Sequence, residues 1–387
     1  MTKAPKKIKN PAPTKSTDRR GFLKAAGAVA ATGVLVACGS ENESANGAAP
    51  ATVGETKHKL KMVTTWPKNF PGMGVSAQRF ADRVREATAG RIDIELYAAG
   101  ELVPALGAFD AVSSGKADIY HGAEYYWQGK SKAFNFFAAV PFGMTADEMA
   151  AWIYHDGGQE LWDELSAGFN IKPLLGGSSG VQMGGWFRKE INTVGDLNGL
   201  RMRIPGLGGE VMSRLGATPV TKAGGEIFLA LSQGNIDATE WVGPWNDLAF
   251  GFHEVAKHYY YPGFHEPGTA FALGFNLAKW NDFSAKDQEL FRMASQAEYT
   301  YTLADYNANN ARALDTLINE HGVDLRRFSD DILSEMGRIS GEVLLEAAAS
   351  DDMTGRVYES FKSSLGRGQR WGAISELAIR NARLLNK

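Results

Sequence analysis

The chain has 387 residues, of which 44% are hydrophobic and 11% aromatic, with one cysteine and a formal net charge of −3. A single cysteine excludes an intramolecular disulfide, cysteine-ligated zinc and iron–sulfur clusters. The first 37 residues carry eight basic side chains and one acid, so the remainder has a charge of −10, and no nucleic-acid partner is expected.

Residues 1–37 read as an export signal. The segment Thr17-Asp18-Arg19-Arg20-Gly21-Phe22-Leu23-Lys24 has the twin-arginine pattern. The apolar stretch from Ala25 to Ala37 is too short and too rich in Ala and Gly to remain as a spanning helix. Leu35-Val36-Ala37-Cys38-Gly39 has the form of a lipoprotein processing site, where Cys38 is acylated and anchors the exported protein to a membrane in the periplasm. Residues 38–56 lack apolar periodicity and are expected to form a flexible tether.

The expected folded part opens with strand, helix, strand, helix, strand. Lys59 to Thr65, Arg91 to Tyr97 and Ala117 to His121 are the strands, and Val75 to Thr88 and Leu102 to Ser114 the helices. This alternation predicts a parallel sheet with ligands beyond the carboxyl ends of its strands, where two aromatic loops fall, at 66–70 and 124–127. A capping box at Thr145-Ala146-Asp147-Glu148 starts a helix that Gly157-Gly158 interrupts. Strands are predicted at Lys172 to Leu175, Gly180 to Arg188, Leu200 to Ile204, Ile236 to Val242 and Thr269 to Asn276, with a helix at Glu226 to Gln233. Ser284 to His321 holds no Gly or Pro and predicts a helix of about 55 Å, long enough to lie across two lobes. Helices with Gly breaks follow from Asp330.

Arg203 stands in an apolar strand ahead of a Pro-Gly turn, and a second strand ends on Glu240-Trp241. A guanidinium there either meets the carboxylate of a small organic acid with its planar fork, or simply ties down a loop or pairs with Glu240. Gln182, Glu240 and the Trp241 carbonyl supply oxygens at strand positions that can converge with Arg203, a donor set suited to sodium or calcium. Gly176-Gly177-Ser178-Ser179-Gly180 matches the hydrolase elbow by letter only, since a strand and not a helix is predicted after it. The seven histidines show no metal-ligand spacing. The rival reading is an exported oxidoreductase or hydrolase acting on small acids, although no cofactor motif supports it.

Several segments together resemble one family: TWPKNFPGMG, GAEYYWQGK, GVQMGGWFRKEI, GLRMRIPGLGGEV, IDATEWVGPWNDL and YYYPGFHEPG. From about Leu60 onward the chain resembles the solute-binding subunits of tripartite ATP-independent periplasmic (TRAP) transporters, in the branch that binds 2-oxo and 2-hydroxy monocarboxylates such as pyruvate or lactate with a cation. The resemblance implies a binding protein and not an enzyme, with a two-lobed α/β flytrap fold, hinge strands and a long helix spanning both lobes. It further implies that Arg203 clamps the substrate carboxylate, that Gln182, Glu240 and Trp241 hold a sodium or calcium ion touching the substrate, and that Tyr125, Tyr126 and Asn246 face the cleft. Trp245 stands where the family more often has Tyr. The implied partners are the small acid and the membrane permease subunits, with a homodimer through the C-terminal helix. The expected division is lobe I at 57–141 with 242–282, and lobe II at 142–241 with 283–387, the latter carrying the long helix 284–321.

Overall fold

The computed structural model describes residues 57–385; the leader, the tether and Cys38 lie outside the described residues. In chain order the first half contains β1 (His58–Thr64), α1 (Met73–Ala87), β2 (Ile92–Tyr97), α2 (Ala108–Ser113), β3 (Ile119–Gly122), α3 (Ala146–His155), α4 (Gly158–Ala167) and β4 (Ile171–Gly180). The second sheet begins at β5 (Gly185–Phe187), and then come β6 (Arg201–Arg203), α5 (Gly206–Arg214), β7 (Thr218–Val220), α6 (Gly224–Ser232), β8 (Ala238–Thr239), α7 (Pro244–Phe250) and β9 (His258–Tyr261). The chain closes with β10 (Thr269–Asn276), α8 (Leu277–Asn281), α9 (Ala285–Asn319), β11 (Asp324–Arg327), α10 (Asp330–Ala348), α11 (Asp352–Ile374) and α12 (Glu376–Leu384).

Two sheets result. The first has the order β2-β1-β3-β10-β4, parallel except for β10, and the second has the order β11-β9-β5-β8-β6-β7. Leu60, Met62, Ile92 and Ile94 turn one face of the first sheet onto Phe80, Val84 and Phe291. A larger core holds Phe137 stacked between Trp152 and Trp162, and Phe361 of α11 closes it. The long helix α9 is 35 residues, capped by the Ser284 hydroxyl on the Asp287 amide. It packs along β4, α1 and α7, and Arg79 of α1 grips its buried Glu298 at 2.7 Å and Asp305 at 3.2 Å.

Strand pairing divides the chain differently from the expected lobes. Residues 171–180 pair with β10 and so belong to the first sheet, although 142–241 was assigned to lobe II. Residues 258–261 pair with β5 and β11 in the second, although 242–282 was assigned to lobe I. Neither strand alternates apolar and polar residues with period two, so periodicity does not say which sheet it joins. The chain therefore crosses between sheets at 181–184 and again at 262–268. These crossings are bonded to each other: the Gln182 amide donates to the Glu266 carbonyl at 3.2 Å, and the Gly263 amide to the Gln182 carbonyl at 2.9 Å.

Other departures have local causes. The predicted helix at 102–114 shrinks to a 3₁₀ turn at Ala105–Gly107 followed by α2, because Pro104 locks its own φ and lacks a donor. The predicted strand 180–188 is broken, with Gly180 at φ 67° and Gly185 at φ 115° bracketing a turn. The Gly-Gly-Ser-Ser-Gly segment lies inside β4, its Ser178 is buried, and the hydroxyl accepts from the Gly180 amide, so no hydrolase elbow forms. Helices α5 and α7 arise where glycine- and proline-rich sequence disfavours a helix; packing decides there, with Leu207, Val211 and Met212 of α5 buried.

Candidate functional site

The second sheet delivers two of its ends to one point. β6 and β8 are parallel, with Arg203 opposite Thr239, so the chain leaving β8 places Glu240 and Trp241 beside Arg203. The two crossings supply Gln182 from one side and His265 and Glu266 from the other. All of these side chains are buried: Arg203 is 1% exposed, Glu240 0%, Gln182 2% and Glu266 3%.

Arg203 is spoken for on three sides. Its Nη1 pairs closely with Glu240 Oε1 and donates to the Glu240 carbonyl at 3.2 Å. Its Nε donates to the Lys222 carbonyl at 3.2 Å, and its guanidinium lies 5.0 Å from the centre of the Trp241 ring. The remaining nitrogen, Nη2, reaches the Tyr126 hydroxyl at only 3.5 Å. The pair with Glu240 therefore exists, and one edge of the fork is only weakly engaged. Gln182 donates from Nε2 to Glu266 Oε2 at 2.7 Å and to the Thr269 hydroxyl at 3.0 Å. The Tyr125 hydroxyl donates to Glu266 Oε2 at 3.4 Å. Tyr125 and Tyr126 belong to the 3₁₀ turn after β3, so the first sheet closes over charges anchored in the second.

Several polar atoms in this cluster have no hydrogen-bond partner. Gln182 Oε1, Glu240 Oε2, both His265 ring nitrogens and the Trp241 indole nitrogen are buried without a hydrogen-bond partner, and His265 Nε2 stands 3.4 Å from Glu240 Oε2. An unpaired buried polar atom typically costs about 1–3 kcal/mol, so native folds keep few, and a group of them at one point marks a place where another species is received. Ligand atoms of Glu240, His265 and Glu266 lie within 4.8 Å of one another. Burial first, and then the neighbouring Glu240 charge, pushes the Glu266 carboxyl up to about 7. The Gln182 amide oxygen beside the carboxylates of Glu240 and Glu266 forms a donor set for a hard cation.

Sequence reasoning missed His265 and Glu266 as site residues, although the Phe264-His265-Glu266-Pro267 turn was part of the resemblance. An acid and a histidine followed by Pro is the only local signal, and 84 residues separate Glu266 from Gln182. Asn246 is placed elsewhere: its amide donates to the Pro71 carbonyl at 2.8 Å and accepts from the Tyr306 hydroxyl at 2.7 Å, a clasp between α7, the 66–72 loop and α9. Asp247 is likewise internal, taking donors from Trp186 and Tyr259 at 2.9 and 2.7 Å. Beside the cluster a cleft of about 500 Å³ opens between the two sheets, lined by Thr65, Pro67 and Leu106 on one side and Thr221, Lys222 and Glu226 on the other.

Comparison with known proteins identifies the family. Residues 62–351 match the family of bacterial extracellular solute-binding proteins, family 7 (DctP). A monocarboxylate 2-oxoacid-binding periplasmic protein of Nostoc sp. is 42% identical over 363 residues, 94% of this chain and 98% of the relative. A TRAP transporter solute-binding protein from Bordetella bronchiseptica superposes with a TM-score of 0.84 at 34% identity, over 86% of this chain and 98% of that one; it is a dimer with copurified calcium and picolinate. A TRAP periplasmic solute-binding protein from Pseudoalteromonas atlantica, with bound sodium and pyruvate, has a TM-score of 0.82 at 38% identity, over 84% of this chain and 99% of that one.

Proposed function

The chain belongs to family 7 of the bacterial extracellular solute-binding proteins, and from that premise we propose that it captures a 2-oxo or 2-hydroxy monocarboxylate such as pyruvate together with a sodium or calcium ion. On this reading it then presents its closed form to TRAP permease subunits, as a binding protein and not an enzyme. The observation that carries the reading is the convergence of Arg203 with two oxygens that accept no hydrogen bond, Gln182 Oε1 and Glu240 Oε2, in a dry cluster where two chain crossings meet.

Arg203 would give its Nη2 edge to the ligand carboxylate, a charge-assisted contact strengthened by exclusion of water. Gln182, Glu240 and the Trp241 carbonyl would hold the cation, and Glu266 extends that set. Charge accounts for the pairing of cation and acid. With Glu266 ionised, one guanidinium against two carboxylates leaves the cluster negative, which repels an anion. A divalent ion brings the assembled site to neutrality, and a monovalent ion leaves one negative charge. Because Gln182 and Glu266 sit on the crossings between sheets, filling the site also favours the closed arrangement, a population shift of the kind the permease can recognise.

The same reading carries three further parts. The protein is exported by the twin-arginine route and held at a membrane through acylated Cys38; intact-mass measurement of the mature N-terminus tests this, and an unmodified Cys38 would oppose it. It forms a homodimer through its C-terminal helices, where Trp371 (68% exposed) and Ile374 (73% exposed) stand out from α11 and Leu377 from α12. Light scattering checks the dimer, with Trp371→Glu expected to give monomer. The ligand pair itself is tested by native mass spectrometry of protein purified without refolding. Adducts of a small acid and of sodium or calcium on the same molecule are expected, and an acid held with no metal would overturn the cation.

A further inference from the structure

The binding cluster has a support on the first sheet that its own contacts do not include. Trp66, two residues beyond β1, is 1% exposed, and its ring meets Trp241 edge-on at 6.3 Å and Tyr126 at 6.3 Å. Both of those residues contact the Arg203 guanidinium, Trp241 by its ring face and Tyr126 by its hydroxyl at Nη2. Whatever sets the orientation of Trp66 therefore sets both neighbours of the arginine. His121, at the end of β3, does so: its Nδ1 accepts the Trp66 indole proton at 2.7 Å in a fully buried contact. With Nδ1 accepting, Nε2 carries the ring proton and faces the Gly176 carbonyl of β4 at 3.4 Å and the Ser76 hydroxyl of α1 at 3.5 Å. Two strands and a helix thus fix the imidazole, and burial pushes its pKa down to about 4, which keeps it neutral and accepting.

We propose that His121 is a positioning residue of the binding site: by accepting the Trp66 indole proton it fixes the ring that meets Trp241 and Tyr126 across the gap between the sheets, and it thereby sets how long the closed form retains its ligand. This rests on reading the Arg203 cluster as a carboxylate site. An indole without its acceptor leaves a buried donor unpaired and free to turn, and the edge contact with Trp241 loses its fixed geometry. The effect belongs to the dissociation rate, since Trp66 and Trp241 come from different sheets and their contact must break for the two to part.

The test is a double-mutant cycle read by stopped-flow tryptophan fluorescence with sodium pyruvate and added calcium. His121→Leu is expected to raise the pyruvate dissociation rate about tenfold. His121→Asn, whose Oδ1 occupies the place of Nδ1, is expected to stay within about threefold of wild type by the same hydrogen-bond arithmetic. Trp66→Phe is expected to raise the rate comparably, and His121→Leu added to it to change nothing further. Unchanged dissociation in His121→Leu, or multiplying effects of the two substitutions, would overturn the proposal. If His121→Leu does not fold, Trp66→Phe with and without His121→Asn still decides: a wild-type rate in Trp66→Phe, or a further change from Asn in that background, counts against it. Wild-type protein that ignores pyruvate would instead defeat the functional reading, so the two failures are distinct.

Discussion

Replacing Arg203 by alanine separates what the guanidinium does for the fold from what it does for the ligand. Arg203 is 1% exposed and its partner Glu240 is 0% exposed, so the substitution strands a carboxylate in a dry core beside Glu266. Breaking a fully buried pair in this way costs about 3–5 kcal/mol, which for a domain of this size lowers the melting temperature by roughly 5–10 °C. The ligand loses up to two charge-assisted hydrogen bonds at about 1.5–3 kcal/mol each, a weakening of pyruvate binding by about two to four orders of magnitude. Calorimetric titration and thermal melting read the two effects. A second variant, Arg203→Met with Glu240→Gln, removes both charges; it is expected to recover most of the melting temperature while remaining unable to bind. A single variant that keeps pyruvate affinity within about threefold would refute the clamp, since one lost charge-assisted bond already exceeds that. A double variant that regains binding along with stability would refute it too.

Other perturbations report on neighbouring parts. Glu266→Gln removes a carboxylate beside Gln182 and Glu240; it is expected to weaken calcium-supported pyruvate binding more than sodium-supported binding, measured by titration in each salt. Gly224→Ala would set a methyl 2.4 Å from the Trp241 ring, and overpacking of this kind costs about 1–3 kcal/mol, so a lowered melting temperature and weaker binding are expected together. Glu124 is buried, accepts from Tyr120 at 2.8 Å and Trp162 at 3.1 Å, and is pushed by burial from the usual 4.5 up to about 8. Its folded value lies above its unfolded one, so folding takes up a proton: its contribution is whole below about pH 4.5 and falls away as pH rises through about 8. Wild type should lose several kcal/mol across that window that Glu124→Gln retains, and melting curves at about pH 6 and pH 9 that shift equally in both proteins would contradict this.

The part of the site that sequence makes visible is the part that breaks a local pattern. Arg203 interrupts an apolar strand and Glu240 ends another, and the structure brings them into contact. Gln182 is placed on a strand by its apolar neighbours, and it stands instead on a crossing beyond a positive-φ glycine. Glu266 and His265 stayed hidden because their neighbours are turn residues, and their partners lie on other segments that only the crossings bring near. The same holds for the sheets. β1 to β3 follow from period-two alternation and short connections, whereas β4 and β9 carry no mark of which sheet they complete. Asn246 shows the converse ambiguity, since a polar residue after a Gly-Pro turn serves as well for a clasp as for a ligand contact.

The central claim, that acid and cation enter one site together, is tested most directly by titrating pyruvate calorimetrically into protein stripped of sodium and calcium, and again after either ion is restored. Weak or undetectable binding in the stripped protein and recovered affinity with the ion is the predicted result. Equal affinity under all three conditions would contradict the account.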